Sequence, residues 1–161
     1  MKKYLICLAV AFLAAGCDNN DGGGSPTDPS QVTVQFSTTD LAVGTGAEAV
    51  SGRTATLLFE LWLYNPAGTA SKGTRIQGST DAVPQAPGTQ VGPVTYVVGT
   101  RQLVPGPGQI ITGFDQGVVG MRVGGKRRMY IPPNLAYGSS GQGPIPPNAS
   151  IVFEVELTNV Q

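Results

Sequence analysis

Histidine is absent from this chain, and cysteine occurs twice, as Cys7 and Cys17. Without histidine there can be no Ser-His-Asp triad and no Cys-His pair, and the usual zinc clusters are excluded with them. Charge is scarce as well: charged residues make up 12% of the chain, 10 basic against 10 acidic, with a net charge of zero. Nucleic-acid-binding domains carry a concentrated basic excess, so that partner class is excluded. What is plentiful is Gly (23) and Pro (13), which favour turns and short strands, and 40% hydrophobic residues suffice for one compact core. The expected chemistry is one that needs no ionisable catalyst, no metal and no cofactor.

The N-terminus points to export. Lys2 and Lys3 precede the apolar run Leu5 to Ala15 (LICLAVAFLAA), which is too short to span ~30 Å of hydrocarbon and is followed by Gly16-Cys17. This is the pattern of a cleaved secretory signal. Leu13-Ala14-Ala15-Gly16-Cys17 also resembles a bacterial lipobox, with Ala14 where that pattern prefers leucine. We therefore expect residues 1–16 to be a lipoprotein signal peptide and Cys17 to be lipidated, the alternative being a plain secretory signal with an incidental cysteine. Cleavage removes Lys2, Lys3 and Cys7, leaving 10 − 2 = 8 basic residues against 10 acidic ones. The mature chain then has no internal disulfide and must rest on core packing. The expected location is the bacterial cell envelope, with the protein held on a membrane through its lipid anchor. Asp18 after the lipidated cysteine favours the inner membrane under the usual sorting rule. Residues 17–31 form a polar, Gly/Ser/Asn/Asp/Pro-rich tether, which on a √n scaling sets the domain ~20 Å from its anchor.

Residues 32–161 are the folded domain, and most of their patterning is that of strands. Val32 to Phe36 alternates apolar and polar; Thr54 to Tyr64 (TATLLFELWLY) is rich in β-formers and ends at the turn signal Asn65-Pro66-Ala67-Gly68. Val94 to Val98 and Arg122 to Ile131 are further strands. Ser150 to Val160 places Ile151, Phe153, Val155 and Leu157 on one face, with Glu154 and Glu156 on the other. A single short helix is expected, capped by Thr112, with Asp115 as its capping-box partner and Gly120 as its stop. Phe114, Val118 and Met121 would share its buried side. The expected class is α+β, a curled antiparallel β-sheet of five or six strands wrapped around one short α-helix.

An ordered set of motifs carries a family resemblance. Asp40-Leu41-Ala42-Val43-Gly44-Thr45-Gly46-Ala47-Glu48-Ala49, Trp62-Leu63-Tyr64, Gly113 to Arg128 (GFDQGVVGMRVGGKRR), Ile131-Pro132-Pro133, Ala136-Tyr137-Gly138 and Ile145-Pro146-Pro147-Asn148-Ala149 resemble the FKBP-type peptidyl-prolyl cis-trans isomerases in order and spacing. The likeness covers residues 40–160 and is weakest between Asn65 and Gln109. It implies an apolar pocket between sheet and helix that receives a proline side chain. On that resemblance Phe114 is the aromatic floor, Ile111 (with Ile110 beside it) supplies a backbone donor, and Tyr137 offers its hydroxyl to the substrate carbonyl. Tyr96 and Phe153 are aromatic walls, Ile145 is an aliphatic one, and Phe59, Ile76, Gln77 and Val94 complete the pocket. Proline-containing polypeptides are the implied partners, macrolides the implied ligands, and a monomer the expected state.

Three positions depart from the family pattern. Phe59 stands where a pocket tyrosine is usual, Gln77 where an aspartate is, and Val94 where an aromatic wall residue is. Both halves of a polar pair are thus replaced together, which avoids the ~1–3 kcal/mol cost of leaving one buried partner alone. The expected pocket is more apolar, wider and less aromatic than is typical, with weaker isomerase and macrolide-binding activity. Two lengths also differ: residues 64–79 exceed a tight turn, and Gly99 to Gln109 (GTRQLVPGPGQ) is an insertion expected to be a flexible surface excursion. The expected function is a prolyl isomerase assisting the folding of exported proteins. The alternative is a catalytically weak or inactive module that binds proline-containing segments or a partner protein.

Overall fold

The computed structural model describes residues 32–81 and 92–161. The expected signal peptide, the expected lipidation site Cys17, Asp18 and the expected tether lie outside the described residues. Seven strands and one α-helix follow in the order β1 (Ser37–Ala42), β2 (Thr54–Tyr64), β3 (Lys72–Gly78), β4 (Val94–Val97), β5 (Gln102–Leu103), α1 (Thr112–Val118), β6 (Lys126–Ile131) and β7 (Ile151–Val160). They form one antiparallel, unclosed sheet in the order β1-β6-β7-β2-β4-β5, with β3 also on β2. This is the expected α+β class; β3 and the two-residue β5 bring the strand number to seven among the described residues.

β2 organises the sheet. One edge pairs with β7 from Ala55↔Val160 to Leu63↔Ile151, while the other is shared, its first half by β4 (Thr54↔Val97 to Leu57↔Val94) and its second by β3 (Glu60↔Gly78 to Tyr64↔Lys72). Alternation along β2 buries Ala55, Leu57, Phe59 and Leu61, and along β7 it buries Ile151, Phe153, Val155 and Leu157. Each of these side chains larger than alanine contributes ~1.5–3 kcal/mol by leaving water. Register shifts in β1, β2 and β3 mark bulges, which strengthen the local twist and so the curl of the sheet.

The helix lies on the concave face, with Phe114, Val118 and Met121 all within the core. Two glycines allow it to come close. A Cβ on Gly113 would overlap the Ile131 methyl, and one on Gly117 would overlap the Met129 sulfur, both on β6. Gly120, at φ 78°, ends the segment as expected, since a left-handed residue there is cheap only for glycine.

The helix start differs from expectation. Ile111 is the N-cap, no side-chain cap is made, and Thr112 is the first helical residue. Long-range partners have taken both polar groups: the Thr112 hydroxyl accepts from Arg101 Nη1 at 2.8 Å, and the Asp115 carboxylate accepts from Gly99 N–H at 2.9 Å. The first strand differs too. Val32 to Phe36 is irregular, and the strand is the following segment, Ser37–Ala42, an exposed edge on β6. Lys126 and Arg128 point to the glutamate side, pairing with Glu156 and Glu154, while Arg127 turns the other way to Asp40 and to the carbonyls of Gly117 and Val119.

Candidate functional site

Between the concave face, α1 and the loops before and after it lies a cavity of about 530 Å³. Its floor is aromatic because one helix position and two strand positions converge there: Phe114 from α1, Phe153 from β7 and Phe59 from β2. Phe114 meets Phe153 edge-on at 5.1 Å between ring centres, and Phe59 meets Phe153 at 5.9 Å. Such edge and tilted contacts are worth ~0.5–1.5 kcal/mol each beyond area burial and hold the rings in fixed orientations.

Gln77, Val94, Ile110, Ile111, Tyr137 and Ile145 also line the cavity, so nine of the eleven residues expected around a pocket come together. The other two do not reach it. Ile76 is packed in the core, and Tyr96 stands behind the floor, fully buried and edge-on to Phe114 at 6.1 Å. The Tyr96 hydroxyl makes no hydrogen bond of normal geometry. Burial, and then the neighbouring Asp115 carboxylate, push its ionisation far above the usual phenol range.

The polar groups at the cavity are few. Ile111 is extended, φ −67° and ψ 151°, and its backbone N–H has no acceptor among the described residues. Tyr137, at φ −103° and ψ 2° before a 3-10 turn at Gly138–Ser140, has no hydroxyl partner among the described residues, and burial raises its phenol pKa. The hydroxyl is therefore a donor throughout the neutral range. Gln77 is 3% exposed, and its Nε2 has no partner. Among the described residues no aspartate or glutamate lines the cavity, and Arg101 is the only charged one that does.

The insertion at 99–109 lies at the surface, as expected, but it is tied into the sheet rather than running free. Its β5 pairs with β4 through Tyr96↔Leu103 and Val97↔Gln102, and the segment is closed by Leu103 N–H to Gly108 O (3.1 Å), Val104 N–H to Thr95 O (2.8 Å) and a Gln102–Gln109 bridge. It delivers Arg101, Leu103 and Gln109 to the cavity. These residues were missed because the insertion falls outside every family motif. Leu61, Thr112, Ala136 and Gln142 were missed as well; alternation along β2 from Phe59 was the one available signal, and it points to Leu61.

This geometry suits a ligand that is apolar, compact and flanked by backbone amides. Its free donors are the Ile111 N–H, the Tyr137 hydroxyl, Gln77 Nε2 and the Arg101 guanidinium, and among the described lining residues the one candidate acid or base is a tyrosine held protonated. Residues 46–158 match the model of a family described as FKBP-type peptidyl-prolyl cis-trans isomerase. The chain is 38% identical over 122 residues to the FK506-binding protein of Neisseria meningitidis serogroup B, covering 75% of this chain and 92% of that one. It is 34% identical over 162 residues to FK506-binding protein 2 of Dictyostelium discoideum, covering 98% of each. The crystal structure of AtFKBP13 superposes with a TM-score of 0.58 at 27% identity, covering 81% of this chain and 98% of that chain. A motif order that runs through the globular part, a cavity with no ionisable catalyst and these similarities agree: the chain belongs to the FKBP-type peptidyl-prolyl cis-trans isomerase family and is an enzyme of that activity.

Proposed function

We propose that the cavity between the sheet and α1 is where this isomerase holds an X–Pro segment, with the pyrrolidine ring on Phe114 and between Phe59 and Phe153. The observation that carries the proposal is the pair of free donors, Ile111 N–H and the Tyr137 hydroxyl, on a cavity whose floor is aromatic. Resonance sets the barrier to X–Pro rotation at ~18–20 kcal/mol. In the twisted amide the nitrogen lone pair is no longer delocalised into the carbonyl, so charge separation falls and an apolar, water-poor site favours that state over the planar one. Each ~1.4 kcal/mol of such preference is tenfold in rate. The donors hold the flanking carbonyls in a turn, and no proton is transferred and no bond to the protein is made.

Phe59, Gln77 and Val94 adjust the site rather than abolish it. They make the enzyme slower than typical members and weaken macrolide binding in the same cavity. The clients are exported polypeptides, and the enzyme works as a monomer held on the bacterial envelope through lipidated Cys17, with Asp18 favouring the inner membrane. Support for the location comes from the sequence of residues 1–31.

The test is the rate of a proline-limited refolding reaction with the parent chain, Phe114→Ala and Tyr137→Ala. Acceleration by the parent and its loss in both variants is expected. Acceleration that survives both changes would place the chemistry elsewhere, and none by the parent would favour a binding module. Cys17→Ala should shift the chain from the membrane fraction to the soluble one; unchanged partitioning would refute the anchor.

A further inference from the structure

Eight basic residues fall within the described residues, and six are committed to carboxylates: Lys72, Arg75, Arg122, Lys126, Arg127 and Arg128. Arg53 and Arg101 are the two that make no ion pair there, and only Arg101 lines the cavity. Its position is built. Arg101 sits at φ 63° in the turn leading into β5, with its N–H on Val97 O (3.2 Å) and its carbonyl accepting from Ile110 N–H (2.9 Å). Nη1 donates to the Thr112 hydroxyl at 2.8 Å, which fixes the guanidinium at the start of α1 and leaves its other donors without a partner among the described residues. The Asp115 carboxylate, on the same helix, is turned away to Gly99 N–H and does not line the cavity.

The rest of the lining reinforces the sign. Its polar side chains are Gln77, Gln109, Thr112, Tyr137 and Gln142, with no anion among them, and the buried Gln77 Nε2 is an unanswered donor. A cation held at an apolar cavity without a counter-charge attracts an anion more strongly than the same cation on an open surface, because less water screens it. Arginine also presents a planar fork matched to a carboxylate.

From this we infer that Arg101 makes the enzyme selective for proline segments that carry a carboxylate side chain on a residue flanking the proline. The inference rests on the cavity being the isomerisation site. It names a specificity residue contributed by the insertion, and a substrate class: acidic X–Pro or Pro–X segments in preference to neutral and basic ones.

The experiment measures kcat/KM for peptides that differ only in having Glu, Gln or Lys before the proline, and for a second set with those residues after it. In at least one set the parent should prefer Glu to Gln by about fivefold at low salt, the ordinary ceiling for a partly exposed ion pair, and should disfavour Lys. The preference should shrink in ~1 M salt, where the Debye length is ~3 Å. The Glu/Gln ratio is read within each variant, so a change in overall rate does not disguise it. Arg101→Gln should bring the ratio to one, Arg101→Glu should invert it, and Arg101→Lys should keep its direction. A parent that turns over the Gln peptides but shows a ratio of one in both sets overturns the selectivity. A preference that persists in Arg101→Gln overturns the assignment to Arg101. No turnover of any peptide overturns the isomerase site itself, and this inference with it.

Discussion

Replacing Gln77 by leucine should make the domain more stable and the enzyme slower. The side chain is 3% exposed on β3, beside Leu61 in the β2–β3 register, and faces a cavity floored by Phe59, Phe114 and Phe153. Its Nε2 has no hydrogen-bond partner. A buried amide without a partner costs ~1–3 kcal/mol, and leucine removes that cost while keeping an apolar body of similar size. Part of the gain is offset because leucine does not reproduce the amide's shape, so a net gain of ~1 kcal/mol is expected, or ~3–5 °C in Tm for a domain of this size. Turnover should move the other way. If the amide serves the flanking backbone of a bound X–Pro segment, its loss removes a neutral hydrogen bond and lowers kcat/KM roughly three- to tenfold. Differential scanning calorimetry and a peptide isomerisation assay on the same preparations read both effects. A Tm unchanged or lowered, with turnover intact, would refute the reasoning, since it would mean that solvent entering the cavity already satisfies the amide and that substrate does not use it.

Gly117→Ala should destabilise although alanine is the better helix former. The propensity gain of ~1 kcal/mol is outweighed by overlap of the new Cβ with the Met129 sulfur, giving a net loss of ~2 kcal/mol in denaturant unfolding that Met129→Val partly restores; a variant as stable as the parent would show that the helix is free to shift. Burial alone would raise the Glu154 carboxyl pKa, but hydrogen bonds and charge from Arg128 and Lys72 outweigh it and hold the group below its ordinary 4.5. With the folded value below the unfolded one, its stabilisation is complete above pH 4.5 and is lost as pH falls through the folded value, so Glu154→Gln should flatten the acid side of a Tm–pH curve; parallel curves would refute the assignment. Tyr137→Phe should leave Tm within ~1 °C, because the hydroxyl has no partner among the described residues, yet lower turnover about tenfold. Because burial keeps that phenol protonated, turnover of a neutral peptide by the parent should be flat from pH ~6 to ~9, and a titration within that range would place an ionisable group in the mechanism.

The parts of the fold that were legible are those whose own side chains decide their placement. β2 alternates from Thr54 to Leu61 and β7 from Phe153 to Leu157 because one face of each meets the core, although Val152 is buried as well, and Phe114, Val118 and Met121 repeat at helical spacing for the same reason. β1 was not legible: Ser37–Ala42 is exposed along its whole length and is a strand only because β6 offers a free edge and Arg127 a partner for Asp40, whereas the better-patterned Val32 to Phe36 has no such edge. β3 was hidden by register shifts opposite Trp62, which break its two-residue period. In the cavity, Phe114, Tyr137, Ile111 and Ile145 could be found by motif. Tyr96 was assigned to the wall because a sequence cannot show that Phe114 stands in front of it.

The insertion binds these observations together. Ordering each backbone residue costs ~1–2 kcal/mol, so an added loop of this length stays ordered only if it is paid for by contacts. Some of those contacts tie the insertion to β4, and three hold the entry to α1: Gly99 N–H on Asp115, Arg101 on Thr112, and Ile110 N–H on the Arg101 carbonyl. Thr112 and Asp115 are thereby drawn away from capping their own helix, and the segment that carries Ile110 and Ile111 is held by the β4–β5 hairpin. The free Ile111 N–H, the cavity floor at Phe114 and the unpaired Arg101 are consequently positioned by a single construction. A change in the hairpin must therefore alter substrate placement as well as charge at the cavity, which is why substitutions confined to the Arg101 side chain are the ones that isolate its electrostatic part.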